Sequence, residues 1–356
     1  CFRENRSRLV NIDSGVLSSA VKKACRAVDE KHHIEQLRNV CFRGGYLYGY
    51  NQRFGVKTKL DLSLDCCLPA DRLNSVVANL KDEVKIYDGK GVVEFKNKSF
   101  KAKIKKFPSD AFPDIIPKTV QKLSGTPLGL IPAIMKVLPC ASDSIEPPTL
   151  HGIAVTGSYV YASENNGSYM IRAELPRALS CKFVIPKDAA KRAVSFGEPD
   201  TISSNQSVVV FEHKDIDTTI VCAQWSHDFP TGALDMISTQ PINESHTVQL
   251  PDGLSVALKK VCSVSPGQID AKVALVETRN GELVISCDDD IASSTSESLP
   301  WPYDFDISFR MKALHLWHAV KVCRYANFSS ILSESPRLVR FWDGTHTQSI
   351  AINTGH

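Results

Sequence analysis

The sequence predicts an α+β fold made of three tandem copies of one module. Three observations carry this expectation: segments recur at a fixed offset, helical periodicity falls at matching points in each copy, and short alternating strands bounded by turn residues lie between. "LRNVCFRGGYLYGY" from Leu37 and "LHGIAVTGSYVYAS" from Leu150 share a register without a gap. Leu37 matches Leu150, Val40 Ile153, Tyr46 Tyr159 and Tyr48 Tyr161, each pair 113 positions apart.

The first helix of each copy lies upstream of, or begins, this pattern. "VLSSAVKKAC" (16–25) matches "LIPAIMKVLP" (130–139) and "GLSVALKKVC" (253–262) with Leu17 on Leu130 and Leu254, which places Lys23, Lys136 and Lys260 at one position. A second helix follows a strand end in "CLPADRLNSVVANL" (67–80), "VIPKDAAKRAV" (184–194) and "ISFRMKALHLWHAV" (307–320). Proline suits the first helical turn because its missing N–H would be unpaired there. The runs "GYLYGY", "GVVEFKNKSFKAKI", "SVVVFEH" and "DTTIVCAQW" alternate or are rich in β-branched and aromatic residues, which predicts strands. Each copy therefore holds two strand-helix-strands units. "DAFPDIIP" and "HDFPTGALDMI" close the first two copies, so domains are expected at about 1–120, 121–240 and 241–356, joined too tightly for flexible linkers.

With 356 residues, 43% hydrophobic and 23% charged, the chain has ordinary globular composition and length for several cores. A net charge of +3 does not announce a nucleic-acid partner, so any positive surface must come from uneven placement. The eleven cysteines show no metal-ligand spacing and read as reduced, mostly buried thiols. No apolar run is long enough to span a membrane, and "CFRENRSRLV" is too polar for a signal core, although a removed leader stays open because numbering starts at Cys1. A cytoplasmic protein is the expectation.

Charge is placed unevenly on the predicted helices. The first helices carry Lys22, Lys23 and Arg26, then Lys136, then Lys259 and Lys260. The second helices and their flanks carry Arg72 and Lys81, then Lys187, Lys191 and Arg192, then Arg310, Lys312, Lys321 and Arg324. Acids are confined to first turns at Asp71, Asp188 and Asp252, where they complement the helix dipole. On a helical wheel Leu17, Ala20, Val21, Ala24 and Val28 form one stripe and leave Lys22 and Arg26 opposite. A basic face repeated on equivalent helices suits phosphates read without regard to sequence.

These features together resemble the bacterial-type DNA polymerase sliding clamp, the β clamp, in a divergent form such as a phage encodes. The resemblance spans nearly the whole chain. It rests on the L-x-x-A first helices, the second helices opening at Pro69, Pro186 and Phe309 (in place of proline), the "TLHGI" segment and the Phe-Pro closures. It implies a homodimeric ring with helices lining the interior, antiparallel sheets outside and double-stranded DNA threaded through. Such a protein is a processivity factor and no enzyme, needs no cofactor or metal, and recruits polymerase and clamp loader through short peptide motifs.

The resemblance also implies a peptide pocket walled by Leu150, Phe229, Pro230, Ile350 and Ile352. The family's "A-T-D-G-H-R-L" loop is replaced by "ASENNGSYMI" (162–171), so Tyr169 and Met170 are expected to supply its contacts. Phe100 in the alternating "FKNKSFKAKIKKF" is the expected dimer contact. No nucleophile triad or phosphate-cradling glycine loop occurs; "DDD" (288–290) reads as a polar loop, and His315 with His318 lacks a third metal ligand. Two other readings stand beside the clamp: a non-catalytic three-domain repeat protein for viral assembly or protein binding, and a Cys or metal hydrolase.

Overall fold

The computed structural model describes residues 8–351 apart from 99, 124–126, 143–149, 165–168, 181, 240, 265–271, 289–293, 332–337 and 345. Seven α-helices occur among the described residues: α1 (Ser14–Cys25), α2 (Ala70–Ala78), α3 (Leu130–Val137), α4 (Lys187–Ala193), α5 (Thr231–Thr239), α6 (Leu254–Val264) and α7 (Ala313–Val322). The strands form four antiparallel sheets, two of eight strands and two of four. This is the α+β architecture the repeats predicted.

The chain condenses into two compact units, residues 1–127 with 188–226, and 128–187 with 227–356. In the first unit an eight-stranded sheet runs Cys66–Pro69, Asn39–Arg43, Tyr46–Tyr50, Phe54–Lys59, Thr218–Ala223, Val208–His213, Thr201–Ser204 and Gln121–Lys122. Its midline is a seam between copies: Phe54–Lys59 pairs with Thr218–Ala223, with Thr58 opposite Thr218 and Val56 opposite Ile220. A four-stranded sheet of Arg8–Asp13, Glu83–Asp88, Val92–Lys96 and Lys101–Lys105 completes the unit.

The core of this unit lies where α1 and α2 meet the sheets. Leu17, Ala20, Val21 and Ala24 from α1 and Leu73 and Val77 from α2 pack with Leu47, Val84, Ile86, Val93, Phe95 and Ile104. Asp13 sets the start of α1 by accepting from the backbone N–H groups of Gly15 and Val16 at 2.9 and 3.0 Å. At its other end α1 lies so close to the sheet that a Cβ on Gly49 would stand 2.0 Å from the Ala24 carbonyl oxygen, so only glycine fits. On the opposite face of the sheet Leu37, Phe112 and Ile115 cover Cys41, Cys67, Val210 and Val221. The Phe-Pro closure is thus a plug: Phe112 is 2% exposed, and burying such a ring is worth about 1.5–3 kcal/mol.

The second unit repeats the plan. Its eight-stranded sheet runs Lys182–Ile185, Ile153–Thr156, Tyr159–Ser163, Tyr169–Glu174, His346–Ala351, Leu338–Asp343, Tyr325–Asn327 and Thr247–Gln249. The seam pairs Tyr169–Glu174 with His346–Ala351, with Ala173 opposite His346 and Ile171 opposite Gln348. The remaining sheet runs Ser294–Pro300, Glu282–Asp288, Val273–Arg279 and Ser308–Lys312. The segment after Pro230, expected only as a boundary, is the helix α5.

Candidate nucleic-acid interface and docking site

The charged helix faces follow from the buried stripes. α1 buries Leu17, Ala20, Val21 and Ala24 and exposes Lys22, with Arg26 exposed at its C-cap. α6 buries Leu254, Ala257, Leu258, Val261 and Cys262 and exposes Lys259 and Lys260. Lys136 on α3, Lys191 on α4, Arg72 on α2, Lys321 on α7 and the flanking Lys81, Arg310, Lys312 and Arg324 are exposed as well; Lys23, Lys187 and Arg192 are half-buried.

In the first unit the structure joins helices of different copies. The Arg26 guanidinium donates to the Ser195 carbonyl and hydroxyl at 3.2 and 3.1 Å and lies 5.1 Å over the Phe196 ring, while Arg192 donates to the Arg26 carbonyl. Beside them Lys23 donates to the Ile216 carbonyl at 3.1 Å, and burial, with Arg26 nearby, holds its pKa below the usual lysine value against the opposing pull of Asp217. Three cations from α1 and α4 thus converge beside the seam.

A comparable arrangement stands in the second unit. The half-buried His318 on α7 has its pKa lowered by burial and then by the charges of Lys321 and Lys187, and Lys321 rests 4.8 Å over the Trp317 ring. Lys136 on α3 lies close enough to His346, in the seam strand, to help burial push that imidazole down to about 4.

Carboxylates engage several of the predicted cations: Lys312 with Glu164 at 2.7 Å, Lys260 with Glu297 at 2.8 Å, Arg72 with Asp71 at 3.7 Å and Arg324 with Asp343 at 3.8 Å. Such exposed pairs hold by about 0–1 kcal/mol and yield readily to a phosphate. Lys22, Lys136, Lys191, Lys259 and Arg310 have no ion-pair partner among the described residues. Ser195 and Phe196, which position Arg26, were not singled out from sequence; they lie just past α4, in a short turn with no pattern of its own.

The expected peptide pocket falls in the second unit. The Leu150–His151 turn meets the Phe-Pro closure, for the His227 ring is lowered in pKa by burial and by His151 while bonding the His151 backbone. Leu150 and Pro230 are half-exposed and Phe229 is 2% exposed. α5 is pinned to the sheet by Asp235, which accepts from the Tyr161 hydroxyl at 2.5 Å and from Arg172 at 3.3 Å, and by Arg340 donating to the Ile237 carbonyl at 2.8 Å. Met170 shares the face of Arg172 by strand alternation and is 3% exposed, while Met236 on α5 is 65% exposed.

Alternation turns Tyr169 to the face opposite Met170, where it is 1% exposed and its ring stacks on His315 of α7 at 4.4 Å. Ile350 is the ladder partner of Tyr169 and Val339, and Ile352 lies outside the described residues. Phe100 is half-buried against the first unit's core. No group of three potential metal ligands occurs among the described residues, though Asp289 and Asp290 of the "DDD" run fall outside them.

No family model and no curated protein matches the sequence. Solved structures do match. A Caulobacter crescentus beta sliding clamp superposes with a TM-score of 0.83 at 15% identity, covering 98% of this chain and 100% of that one. The fold is that of the β sliding clamps. A Pseudomonas aeruginosa DNA polymerase sliding clamp gives 0.81 at 14% identity, and a Helicobacter pylori beta clamp bound to a DNA ligase peptide gives 0.76 at 12%, each covering 98% of this chain and 100% of the other. At such identities the clamp fold survives through buried patterning rather than shared residues, which is why repeats inside this chain were the legible signal. No helix among the described residues is long and apolar enough to cross a membrane.

Proposed function

We propose that the protein is a DNA sliding clamp, a non-catalytic processivity factor in which two copies close around duplex DNA and tether a polymerase and other DNA enzymes. The observation that carries this reading is the repeated seam. Each joins the last strand of one copy's first half-sheet to the last strand of the next copy's second half-sheet, with basic helices of both copies beside it. Two such edges are left over, Lys101–Lys105 in the first copy and Ser294–Pro300 in the third. A second chain satisfies both.

The register of the proposed third seam is read by analogy with the two existing ones. Thr218 and His346, the residues that follow the last hairpin turn, sit opposite Thr58 and Ala173. The corresponding residues at the free edges are Phe100, whose carbonyl accepts from Asn97 N–H at 2.9 Å to close the hairpin, and Leu299, the partner of Leu283. Pairing Phe100 with Leu299 puts Ala102 opposite Glu297 and Ile104 opposite Thr295. These side chains share a face, since Ile104 packs in the helix-side core and the Thr295 hydroxyl donates to the Val261 carbonyl of α6 at 3.1 Å. Three copies and two chains thus make one register serve every junction.

Weak, sequence-blind contacts from Lys22, Lys136, Lys187, Lys191, Arg192, Lys259 and Arg310 suit a protein that must slide, because phosphate contacts position without reading bases. The α5 face with Met236, Leu150, Phe229 and Pro230 is the reading for the peptide-docking site, supported by the ligase peptide on the H. pylori clamp. Loading on a nicked circular duplex by a clamp loader tests the whole. Retention on the closed circle and release once the circle is cut is the expected result; equal retention on both forms would leave a simple binding protein instead.

A further inference from the structure

The described cysteines are all free thiols, but two of them stand as direct partners across a ladder: Cys41 on Asn39–Arg43 and Cys67 on Cys66–Pro69. In an antiparallel pair, neighbours alternate between sites that exchange hydrogen bonds and sites that do not. The N–H and C=O of Cys67 are both spent on Phe107, on the far side of the strand, each at 2.9 Å. Cys41 and Cys67 are therefore a non-hydrogen-bonded pair, the closer kind, with Cα atoms about 4.5 Å apart and side chains facing one another. That separation lies within the range a disulfide spans.

The two thiols act on one another. The neighbouring Cys67 thiol is the largest cause holding the Cys41 pKa below the usual thiol value, while Cys41 and burial push Cys67 up. Cys66, next in sequence, belongs to the core on the opposite face and takes no part. A cleft of about 160 Å³, lined by Glu35, Asn39, Cys67, Phe107 and Phe112 among others, opens onto the Cys67 side of the pair.

We propose that Cys41 and Cys67 form a reversible disulfide under a hydroperoxide oxidant, making this face of the first copy a redox-modification site. One thiol of the pair, as thiolate, attacks one oxygen of hydrogen peroxide, breaking the O–O bond to give a sulfenic acid and hydroxide. Hydroxide takes the other thiol's proton as water, and the thiolate so formed displaces hydroxide from the sulfenic sulfur. Two electrons pass from the sulfur pair to the peroxide, and a dithiol reductant reverses the step. The bond staples the edge strand Cys66–Pro69 to its neighbour beneath the Phe107–Phe112 segment and raises resistance to unfolding.

Treatment of the whole protein with hydrogen peroxide, quenched and digested without reductant, tests this. The expected product is a single peptide cross-link between Cys41 and Cys67, with loss of two hydrogens' mass, a melting temperature raised by several degrees, and reversal by dithiothreitol. Cys41→Ser and Cys67→Ala each abolish the link, and Cys262→Ser, altering the other neighbouring thiol pair, leaves it intact. Oxygen addition without a link, or a link that persists in Cys41→Ser, overturns the proposal. Neither outcome bears on whether the protein encircles DNA.

Discussion

The Arg26 guanidinium rests on the Phe196 ring while Arg192 donates to the Arg26 carbonyl, so two cations 166 residues apart in sequence are held side by side by groups that do not neutralise them. Charge kept this way is available to an external anion. Arg192→Glu together with Lys191→Glu is expected to lower affinity for linear duplex about tenfold or more at low salt and to flatten the salt dependence by about one phosphate contact per cation lost. Fluorescence anisotropy across a salt series measures both. An unchanged slope would remove these residues from the DNA face.

Phe100 and Leu299 are expected to meet across two chains. Leu299→Arg places a charge at an apolar pair and is expected to convert dimer to monomer in sedimentation without moving the melting transition of the folded units. Phe100→Asp does the same, though its part in the first unit's core adds a stability loss of about 1–3 kcal/mol. A dimer surviving both changes would mean that another surface joins the copies.

Asp235 ties α5 to two strands at once. Asp235→Ala leaves Tyr161 and Arg172 without their shared acceptor and is expected to cost about 1–3 kcal/mol locally. Amide exchange over 231–239 should quicken while the rest of the sheet stays protected, and capture of a clamp-binding peptide should fall with it. Met236→Ala, on the exposed side of α5, should weaken the peptide without altering exchange.

Gly49 permits the approach of α1. Gly49→Ala sets a methyl against the Ala24 carbonyl and should cost about 1–3 kcal/mol, read as a lower urea midpoint at constant slope.

His315 and His346 both have pKa values lowered to about 4, chiefly by burial. The unfolded chain protonates these rings near pH 6.5, so from about pH 6.5 down to about 4 it binds protons the native state refuses. Stability is therefore expected to fall across that window, by roughly 1–3 kcal/mol for each ring, and to be insensitive to these groups above it. Thermal melts of wild type and His346→Gln between pH 7 and 4 separate the contribution; equal slopes would count against it.

Repetition made the fold legible. Leu17, Leu130 and Leu254 all open buried stripes on helices that start within two residues of the periodic segments. The hairpin in "GVVEFKNKSFKAKI" forms as its alternation predicted, as Val92–Lys96 with Lys101–Lys105. α5 was missed because a Phe-Pro closure reads as punctuation and "TGALDMIST" is too short for a periodic signal. The basic faces could be read from charge placement, but not their convergence: Arg26 and Arg192 meet only because the sheet folds two copies together. The face that Tyr169 takes was illegible for a related reason, since which face of a strand an apolar residue takes depends on register, and a shift of one residue exchanges the faces.

The seam at Phe54–Lys59 also governs the birth of the protein. Its partner strand, Thr218–Ala223, emerges from the ribosome long after the first copy is finished. Until then a nascent chain carries an open strand edge with its hydrogen-bonding groups bare, an invitation to pair with the wrong neighbour. Synthesis that stalls between residues 60 and 217 should hence be the most aggregation-prone moment in this molecule's life.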